Sequence, residues 1–273
     1  MAHELLLGKP VLYKDQYDAS LLFPVPRAQN RALLPLQAQS PLPFCGADLW
    51  NAWEVSWLNQ KGKPVVAHAL FRFACTTSNI VESKSFKLYL NSFNGTRFAS
   101  WQAVHDCLQH DLSAASGGDV TVMLSPLDEH TPFAAWRGQG INLDALDIDV
   151  DHYDVNSALL RTQGDAVVSE TLYSQLLKSN CPVTGQPDWA TVFISYRGKI
   201  IDKEGLLRYL ISFRNHAEFH EHCVERIFCD VLQQCQCEAL SVYARYTRRG
   251  GLDINPFRST SEQPIDNFIC ARQ

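Results

Sequence analysis

One cysteine of the sequence lies on a turn beside an acid, a pairing that suits nucleophilic catalysis. Cys181 belongs to the turn Ser179-Asn180-Cys181-Pro182-Val183-Thr184-Gly185, and Asp188 heads the strand-like run that follows. Because Asn, Pro and Gly interrupt regular structure, we expect the thiol to be presented on a loop. A thiolate adds to an electrophilic carbon, and an acid whose pKa is raised in a dry pocket can protonate the atom that becomes negative. Alone, Cys181 would more often be an inert thiol, and Asp188 could simply begin a strand or cap a turn.

Two further segments carry polar groups in patterns that suit ligand binding. The string Glu82-Ser83-Lys84-Ser85-Phe86-Lys87-Leu88-Tyr89 has polar groups where a strand would alternate into a core, although its lysines could also form a solvated strand face. The string Arg248-Arg249-Gly250-Gly251 places cationic side chains beside backbone that can approach a ligand closely, which suits a phosphate. Such a string is more often an ordinary basic turn.

The composition limits the class of protein that holds these groups. The chain has 273 residues, 46% of them apolar, which is enough for a core in one large or two modest domains. Its net charge of −5 argues against a broad phosphate-binding surface, so a small molecule is a more suitable substrate than tRNA or DNA. No run reaches the roughly 20 apolar residues of a membrane span, and the start of the chain lacks a signal-peptide pattern. We therefore expect a soluble cytoplasmic protein whose nine cysteines are mostly free thiols.

Periodicity places these segments on a series of strands and helices. Residues 1–45 are rich in Pro, Leu and Gln and predict an arm packed over the body. Apolar residues at helical spacing predict amphipathic helices over Phe98–Leu112 and Ala217–Leu232, and Gly205–Phe213 fits a strand or a short helix. Strands are predicted over Asp48–Leu58, Val65–Cys75, Ser85–Phe93, Asp119–Leu124, Trp189–Tyr196 and Glu238–Thr247.

The order of these elements indicates a duplicated unit. Ser92-Phe93-Asn94 recurs in similar form as Ser212-Phe213-Arg214-Asn215, 120 residues later, and an amphipathic helix and a strand follow each copy. We therefore predict an α+β fold made of two β-β-helix-β units. The predicted division is an N-terminal arm (1–45), a first repeat (46–135), a connecting segment (136–175) and a second repeat (176–273).

The string from Glu82 to Tyr89, together with Cys181, Asp188 and the pair His220-Glu221, resembles the NADPH-dependent 7-cyano-7-deazaguanine reductases, the QueF nitrile oxidoreductases of queuosine biosynthesis. The resemblance spans nearly the whole chain. In the family's short form the string and the cysteine lie in one small domain, whereas here they fall in different repeats, as in the long form. The resemblance implies tandem tunnelling-fold (T-fold) repeats, with antiparallel sheets and helices packed on one face. It also implies the four-electron reduction of the nitrile of 7-cyano-7-deazaguanine to 7-aminomethyl-7-deazaguanine.

The chemistry of a nitrile requires the same residue types. Addition of the Cys181 thiolate to the nitrile carbon gives a covalent thioimide, and the C=N bond of the thioimide accepts hydride. Asp188 is the predicted proton donor, and His220 is near enough in sequence to assist it. Glu221 can accept two hydrogen bonds from the edge of a deazaguanine ring. The resemblance implies that Val81, Glu82, Ser83, His220 and Glu221 contact the substrate, and that Ser83, Lys84, Arg249 and Gly250 contact NADPH.

No second cofactor is predicted. Gly138-Gln139-Gly140 lacks the third glycine of a G-x-G-x-x-G string, so no Rossmann domain is expected. His216 and His220 are one helical turn apart without an H-E-x-x-H or Cys-x-x-Cys pattern, so we predict no metal. Two alternatives stay open, a zinc-dependent T-fold enzyme of the cyclohydrolase type and a non-catalytic purine-binding module. The resemblance to T-fold proteins, which build sites at subunit or repeat interfaces, implies a homodimer. From the net charge and the lack of a long apolar run, we expect no direct contact with nucleic acid or membrane.

Overall fold

Eight strands form one continuous sheet that runs through both halves of the chain. The structure, a computed structural model, describes residues 13–35, 41–128 and 133–273. The strands are β1 (Pro24–Pro26), β2 (Cys45–Leu58), β3 (Pro64–Ala74), β4 (Asn79–Val81), β5 (Val120–Ser125), β6 (Ile141–Asn142), β7 (Thr162–Asn180), β8 (Pro187–Ile201), β9 (Ala239–Tyr246) and β10 (Leu252–Ser259). In the large sheet their order is β5-β3-β2-β10-β9-β8-β7-β6, and each neighbouring pair is antiparallel except β6 and β7. Strands β1 and β4 form a separate antiparallel pair.

The long helices cover one face of this sheet. The α-helices are α1 (Arg27–Arg31), α2 (Ser83–Asn91), α3 (Trp101–Ser116), α4 (Lys203–Ile211) and α5 (His220–Cys235). Along β8, Val192 and Ile194 belong to the core formed with α4 and α5, whereas Phe193 between them belongs to a smaller cluster on the opposite face. This alternation is what a strand with two different faces requires. The α+β class, with a large antiparallel sheet and helices on one face, is confirmed.

The second half of the chain repeats the first in order and in detail. The series β2-β3-α2-α3-β5 corresponds to β7-β8-α4-α5-β9; α2 and α4 have 9 residues each, and α3 and α5 have 16 each. In the first copy the Tyr89 hydroxyl donates to Asp111 at 2.7 Å, and in the second the Tyr209 hydroxyl donates to Asp230 at 2.7 Å. These buried pairs tie the shorter helix of each copy to the longer one. The duplication agrees with the predicted repeat, but the predicted β-β-helix-β unit is wrong in one respect, because each copy has two helices between its strands.

One predicted strand is wrong, one element that was left open is a helix, and one strand begins earlier than expected. The strand predicted over Ser85–Phe93 is wrong, because these residues form most of α2, with Phe86, Leu90 and Phe93 buried at the helical spacing i, i+4, i+7. Gly205–Phe213, left as strand or helix, is mostly helix α4. Strand β7 begins at Thr162, inside the stretch 136–175 that was expected to connect the repeats. Strand β10 pairs with both β2 and β9 and so joins the two halves of the sheet. The division into arm, repeats and connector stays a prediction.

The described part of the arm is fastened to the body by buried ion pairs. Arg27 donates to Asp48 at 2.6 Å, and Arg31 donates to both carboxylate oxygens of Glu225 at 2.7 and 2.9 Å. Arg258 of β10 bridges the two acids, at 2.7 Å from Asp48 and 2.8 Å from Glu225. We call these five residues the arm network. It connects α1 to β2, β10 and α5.

Residues 1–12 and 36–40 of the predicted arm lie outside the described residues. Within the ranges 13–35, 41–128 and 133–273, no helix is both long and apolar enough to cross a membrane.

Candidate active site

Several elements of both halves begin or end at the same edge of the sheet, and the predicted site residues lie there. The turn with Cys181 joins the end of β7 to the start of β8, where Asp188 is the second residue. His220 and Glu221 open α5, and Arg249 and Gly250 lie in the loop between β9 and β10. Helix α2 of the first half adds Ser83 and Lys87, which line a narrow cleft together with His220 and Arg249. The candidate site is therefore built at the junction of the two halves.

The turn around Cys181 stabilises a thiolate. The turn closes with hydrogen bonds from Cys181 N–H to Gln186 and from Gly185 N–H to Cys181, at 2.8 and 2.9 Å. Burial raises the pKa of Cys181, but hydrogen bonds from the Thr184 hydroxyl, from the N–H groups of Thr184 and Val183, and from Arg249 outweigh burial. The net pKa therefore lies below the ordinary value for a thiol. The turn was predicted correctly, but Cys181 is buried, with 7% of its surface exposed.

Asp188 lies next to two potential cations. Its Oδ1 is 3.2 Å from Arg249 Nη1 and 3.6 Å from His220 Nε2, and its side chain is 4% exposed. Burial raises the pKa of Asp188, yet the hydrogen bond and charge of His220, then the charges of Arg249 and Lys87, lower it further than burial raises it. The expectation of a raised pKa for Asp188 is wrong for this structure, because the hydrogen bond and charges of these neighbours outweigh the burial on which the expectation rested.

His220 and Glu221 are both positioned by the first turn of α5. The His220 ring packs perpendicular to Tyr246, with 4.1 Å between the ring centroids. Glu221 is 2% exposed, and no hydrogen bond among the described residues joins its carboxylate to another residue's side chain. Burial and the charge of Asp48 raise the pKa of Glu221 to about 7, against opposing contributions from His220 and Arg27. Among the side chains that the structure describes, none uses the acceptor capacity of this buried carboxyl group.

The first turn of α2 holds the residues of the Glu82–Tyr89 string. Val81 and Glu82 are buried, and the Glu82 carboxylate accepts hydrogen bonds from the N–H groups of Lys84 and Ser85 at 2.9 and 2.7 Å. These bonds satisfy two of the N–H groups that a helix leaves unpaired at its start. Glu82 therefore has a structural role as the cap of α2. Its predicted contact with substrate stays a prediction, as do those of Val81 and Ser83.

A groove beside the narrow cleft contains Lys84, one of the two cations predicted to contact NADPH. Its volume is about 430 Å³, and Lys84, Lys87 and Gly250 line it. Lys87 also lines the narrow cleft, so the two cavities meet at this side chain. Gly250 has a φ of +55°, and a Cβ there would lie 3.1 Å from Lys87 Cδ, so glycine lets the loop approach α2 closely. The cations and this glycine fit a phosphate-bearing cofactor.

Lys87 was not among the predicted site residues. Burial, and then the charge of Arg249, lower the pKa of Lys87 below the ordinary value for lysine.

A wider hollow of about 450 Å³ lies on the strands of the second half, lined by Ser169, Thr171 and Ser195 among others, and contains none of the predicted site residues. Size alone therefore does not identify the site.

One group of potential metal ligands occurs among the described residues. The donor atoms of His216, Glu218 and Cys223 all lie within 4.8 Å of one another. His216 Nε2 and Glu218 Oε2 are 2.7 Å apart and already form a hydrogen bond, while burial raises the pKa of Cys223. The thiolate form that a metal requires is thus disfavoured. The prediction that the protein uses no metal stays a prediction.

Comparison with known proteins identifies the family. Residues 13–124 match the family described as nitrile reductase, 7-cyano-7-deazaguanine-reductase N-term, and residues 187–264 match the family described as QueF-like protein. The NADPH-dependent 7-cyano-7-deazaguanine reductase of Bordetella avium is 58% identical over 255 residues, 93% of each chain. The chain belongs to the 7-cyano-7-deazaguanine reductase family. The reductase of the same name from Cupriavidus metallidurans is 58% identical over 269 residues, 98% of this chain and 97% of that one.

Among solved structures, the archaeosine synthase QueF-Like in its apo form covers 37% of this chain, with 15% identity and a TM-score of 0.32. Membership of the 7-cyano-7-deazaguanine reductase family confirms the predicted resemblance. It also sets aside the cyclohydrolase and the non-catalytic purine-binding module.

Proposed function

We propose that this reductase converts 7-cyano-7-deazaguanine to 7-aminomethyl-7-deazaguanine with NADPH, for queuosine synthesis. The observation that carries the proposal is the turn around Cys181, whose N–H groups and Thr184 hydroxyl stabilise a thiolate next to Asp188, His220 and Arg249. The relatives of highest identity carry the name of this reaction.

In the covalent step, Cys181 Sγ bonds to the nitrile carbon and one π bond of the C≡N group breaks. The nitrogen takes a proton, which gives a neutral thioimide. The proton is the one that Cys181 loses as its thiolate forms: Asp188, held as a carboxylate by its neighbours, accepts it and passes it to the nitrogen, and His220 beside Asp188 assists the transfer. Glu221 is the acceptor for the N–H groups of the ring, since its carboxylate is buried and has no other side-chain partner among the described residues.

The cationic groove is the proposed site of the cofactor. Lys84 and Arg249 would bind its phosphates, Ser83 would donate a hydrogen bond, and Gly250 would let the backbone approach. NADPH supplies hydride, two equivalents for the four electrons that separate a nitrile from an amine. Lys87, at the meeting point of groove and cleft, would bring a further amino group to the cofactor.

The setting of the enzyme is also part of the proposal. All nine cysteines are free thiols, which suits a reducing compartment such as the cytoplasm. We propose a homodimer that acts on the free base and makes no direct contact with nucleic acid.

The proposal predicts a fixed stoichiometry. Purified protein mixed with limiting 7-cyano-7-deazaguanine should oxidise two NADPH for each nitrile consumed, and Cys181→Ala should oxidise none. A ratio of one, or turnover by Cys181→Ala at the wild-type rate, would contradict it. Cys107→Ala is the matched control, because Cys107 is a half-buried thiol of α3 and lines neither the groove nor the narrow cleft.

A further inference from the structure

A bulge in β2 brings an aromatic ring to the loop that carries Arg249. The pairing of β2 with β3 shifts register after Ala52, so that Trp53 and Glu54 together stand opposite His68. Bulges turn side chains away from the regular alternation of a strand and are common beside active sites. Trp53 belongs to the first half of the chain, whereas the loop between β9 and β10 belongs to the second. The bulge therefore connects the two halves at the site.

Partners other than the loop fix the orientation of the Trp53 ring. Its Nε1–H donates to Asp253 Oδ2 of β10 at 2.7 Å, and Asp253 is 1% exposed. The ring also packs against His68 and Phe133, with 4.7 and 5.4 Å between ring centroids. The indole is thus a fixed platform on which a loop residue can pack.

The bulge holds both ends of the segment Arg248–Gly251. The Arg248 guanidinium lies over the Trp53 ring, with 4.1 Å from Cζ to the ring centroid. The backbone N–H of Trp53 donates to the carbonyl of Gly251 at 2.9 Å. Gly251 has a φ of +74°, and a Cβ there would lie 2.6 Å from the carboxyl carbon of Glu54, so glycine lets the loop approach the bulge closely.

Arg249 lies between these two fixed residues. Its N–H donates to the carbonyl of Leu252 at 2.8 Å, and its side chain enters the narrow cleft, where Nη1 is 3.2 Å from Asp188 Oδ1. Nη1 is buried without a hydrogen-bond partner among the described residues, so the ion pair does not fix the direction of the guanidinium. The position of Arg249 therefore depends on the backbone of the loop.

We propose that Trp53 and Arg248 are positioning residues: the cation–π contact between them holds the loop so that Arg249 faces Asp188 and the cationic groove. Neither Trp53 nor Arg248 lines the groove or the narrow cleft. The inference rests on the proposed function, in which Arg249 binds the phosphates of NADPH. It gives Arg248 a partner in the protein itself, and not in the cofactor.

The first test compares the cofactor with the ring. Arg248→Met keeps most of the side-chain length but removes the charge, so it should raise the KM for NADPH by about two- to fivefold, the factor that an exposed cation–π contact supplies. Affinity for 7-cyano-7-deazaguanine, measured by titration calorimetry in a Cys181→Ala background, should not change. Partial unfolding would instead lower kcat and leave both constants as they are. Arg197→Met is the matched control, because it removes the same charge from an exposed position on β8, and it should change neither constant.

Conservative variants test the contact itself. Arg248→Lys keeps a cation and Trp53→Phe keeps a ring face, so each should retain most of the wild-type KM for NADPH. Trp53→Leu removes the ring and should raise this KM at least as much as Arg248→Met. Arg248 is exposed, so its variants should fold even if Trp53→Leu does not. An unchanged KM in Arg248→Met, or the same increase in Arg248→Lys as in Arg248→Met, would overturn the inference.

A double-mutant cycle separates positioning from direct binding. Once Trp53→Leu has removed the ring, adding Arg248→Met should raise the KM for NADPH no further. A second increase of the same size would mean that Arg248 contacts the cofactor itself, and would refute the positioning role.

Arg249→Ala distinguishes this inference from the proposed function. The inference predicts that Arg249→Ala raises the KM for NADPH and that Arg248→Met adds nothing in this background. An unchanged KM in Arg249→Ala would refute the role of Arg249 in cofactor binding, and with it the inference. A raised KM in Arg249→Ala, with the full additional increase on adding Arg248→Met, would leave that role intact and refute the inference about the loop.

Discussion

Replacement of Glu225 by Gln tests how the arm is held to α5. Glu225 is fully buried and accepts hydrogen bonds from Arg31 and Arg258. Burial raises its pKa, but the charge of Arg258, the hydrogen bond and charge of Arg31, and the charge of Arg27 lower it to about 2, against an ordinary value of 4.5. Each factor of ten in this equilibrium is worth about 1.4 kcal/mol, so the ionised form stabilises the fold by about 3 kcal/mol.

The same shift fixes the pH range of the effect. Because the folded pKa is depressed, the stabilisation is complete above the unfolded value of 4.5 and is lost as the pH falls through about 2. We expect Glu225→Gln to lower the free energy of unfolding by about 3 kcal/mol at pH 7, which corresponds to a melting temperature lower by roughly 6–12 °C for a chain of this size. The difference from wild type should shrink below about pH 4.5. Urea denaturation followed by tryptophan fluorescence measures it.

The control for this experiment is an exposed acid with a comparable ion pair. Glu238 accepts from Arg197 at 2.7 Å, but the two side chains are 52% and 61% exposed. Exposed pairs contribute about 0–1 kcal/mol, so Glu238→Gln should have little effect. If Glu225→Gln costs no more than Glu238→Gln, the reasoning about the arm network is refuted.

Three further predictions concern the chemistry. Asp188→Asn should slow both adduct formation and reduction by roughly 10²–10⁴-fold in single-turnover kinetics, with little change in ring affinity, and near-normal turnover would exclude it from proton delivery. Lys84→Ala should raise the KM for NADPH more than the KM for the nitrile, because it removes a cation from the groove; equal changes in both constants would argue against this assignment. Dialysis against a chelator should leave activity intact, whereas a loss restored by zinc would point to His216, Glu218 and Cys223 as ligands.

Local sequence signals predicted the reactive turn but not its electrostatics. The turn at Cys181 and the strand that starts near Asp188 depend on short-range residue preferences, and both are present. The low pKa of Asp188 and the position of Lys87 depend on side chains from other elements, which no local pattern reports. The sequence thus suggested candidate residues without the interactions that set their protonation.

Two of the long strands, β7 and β10, were missed for different reasons. The first part of β7 is largely exposed, so its sequence shows no apolar alternation. All eight residues of β10 are buried, and its polar members Asp253, Asn255 and Arg258 find partners on β2, on α5 and among themselves. A strand that is buried on both faces and yet polar resembles a loop in sequence.

The prediction of a strand over Ser85–Phe93 was wrong for another reason. The polar residues of α2 suggested alternation, while its apolar residues followed a helical period.

The central claim is that Cys181 forms a covalent adduct with the nitrile of 7-cyano-7-deazaguanine. Intact-protein mass spectrometry after mixing protein and nitrile, with no NADPH added, tests it directly. The account predicts that the wild type gains the mass of one substrate, that NADPH removes this added mass, and that Cys181→Ala gains none. No added mass on the wild type, or the same added mass on Cys181→Ala, would contradict the assignment of Cys181 as nucleophile.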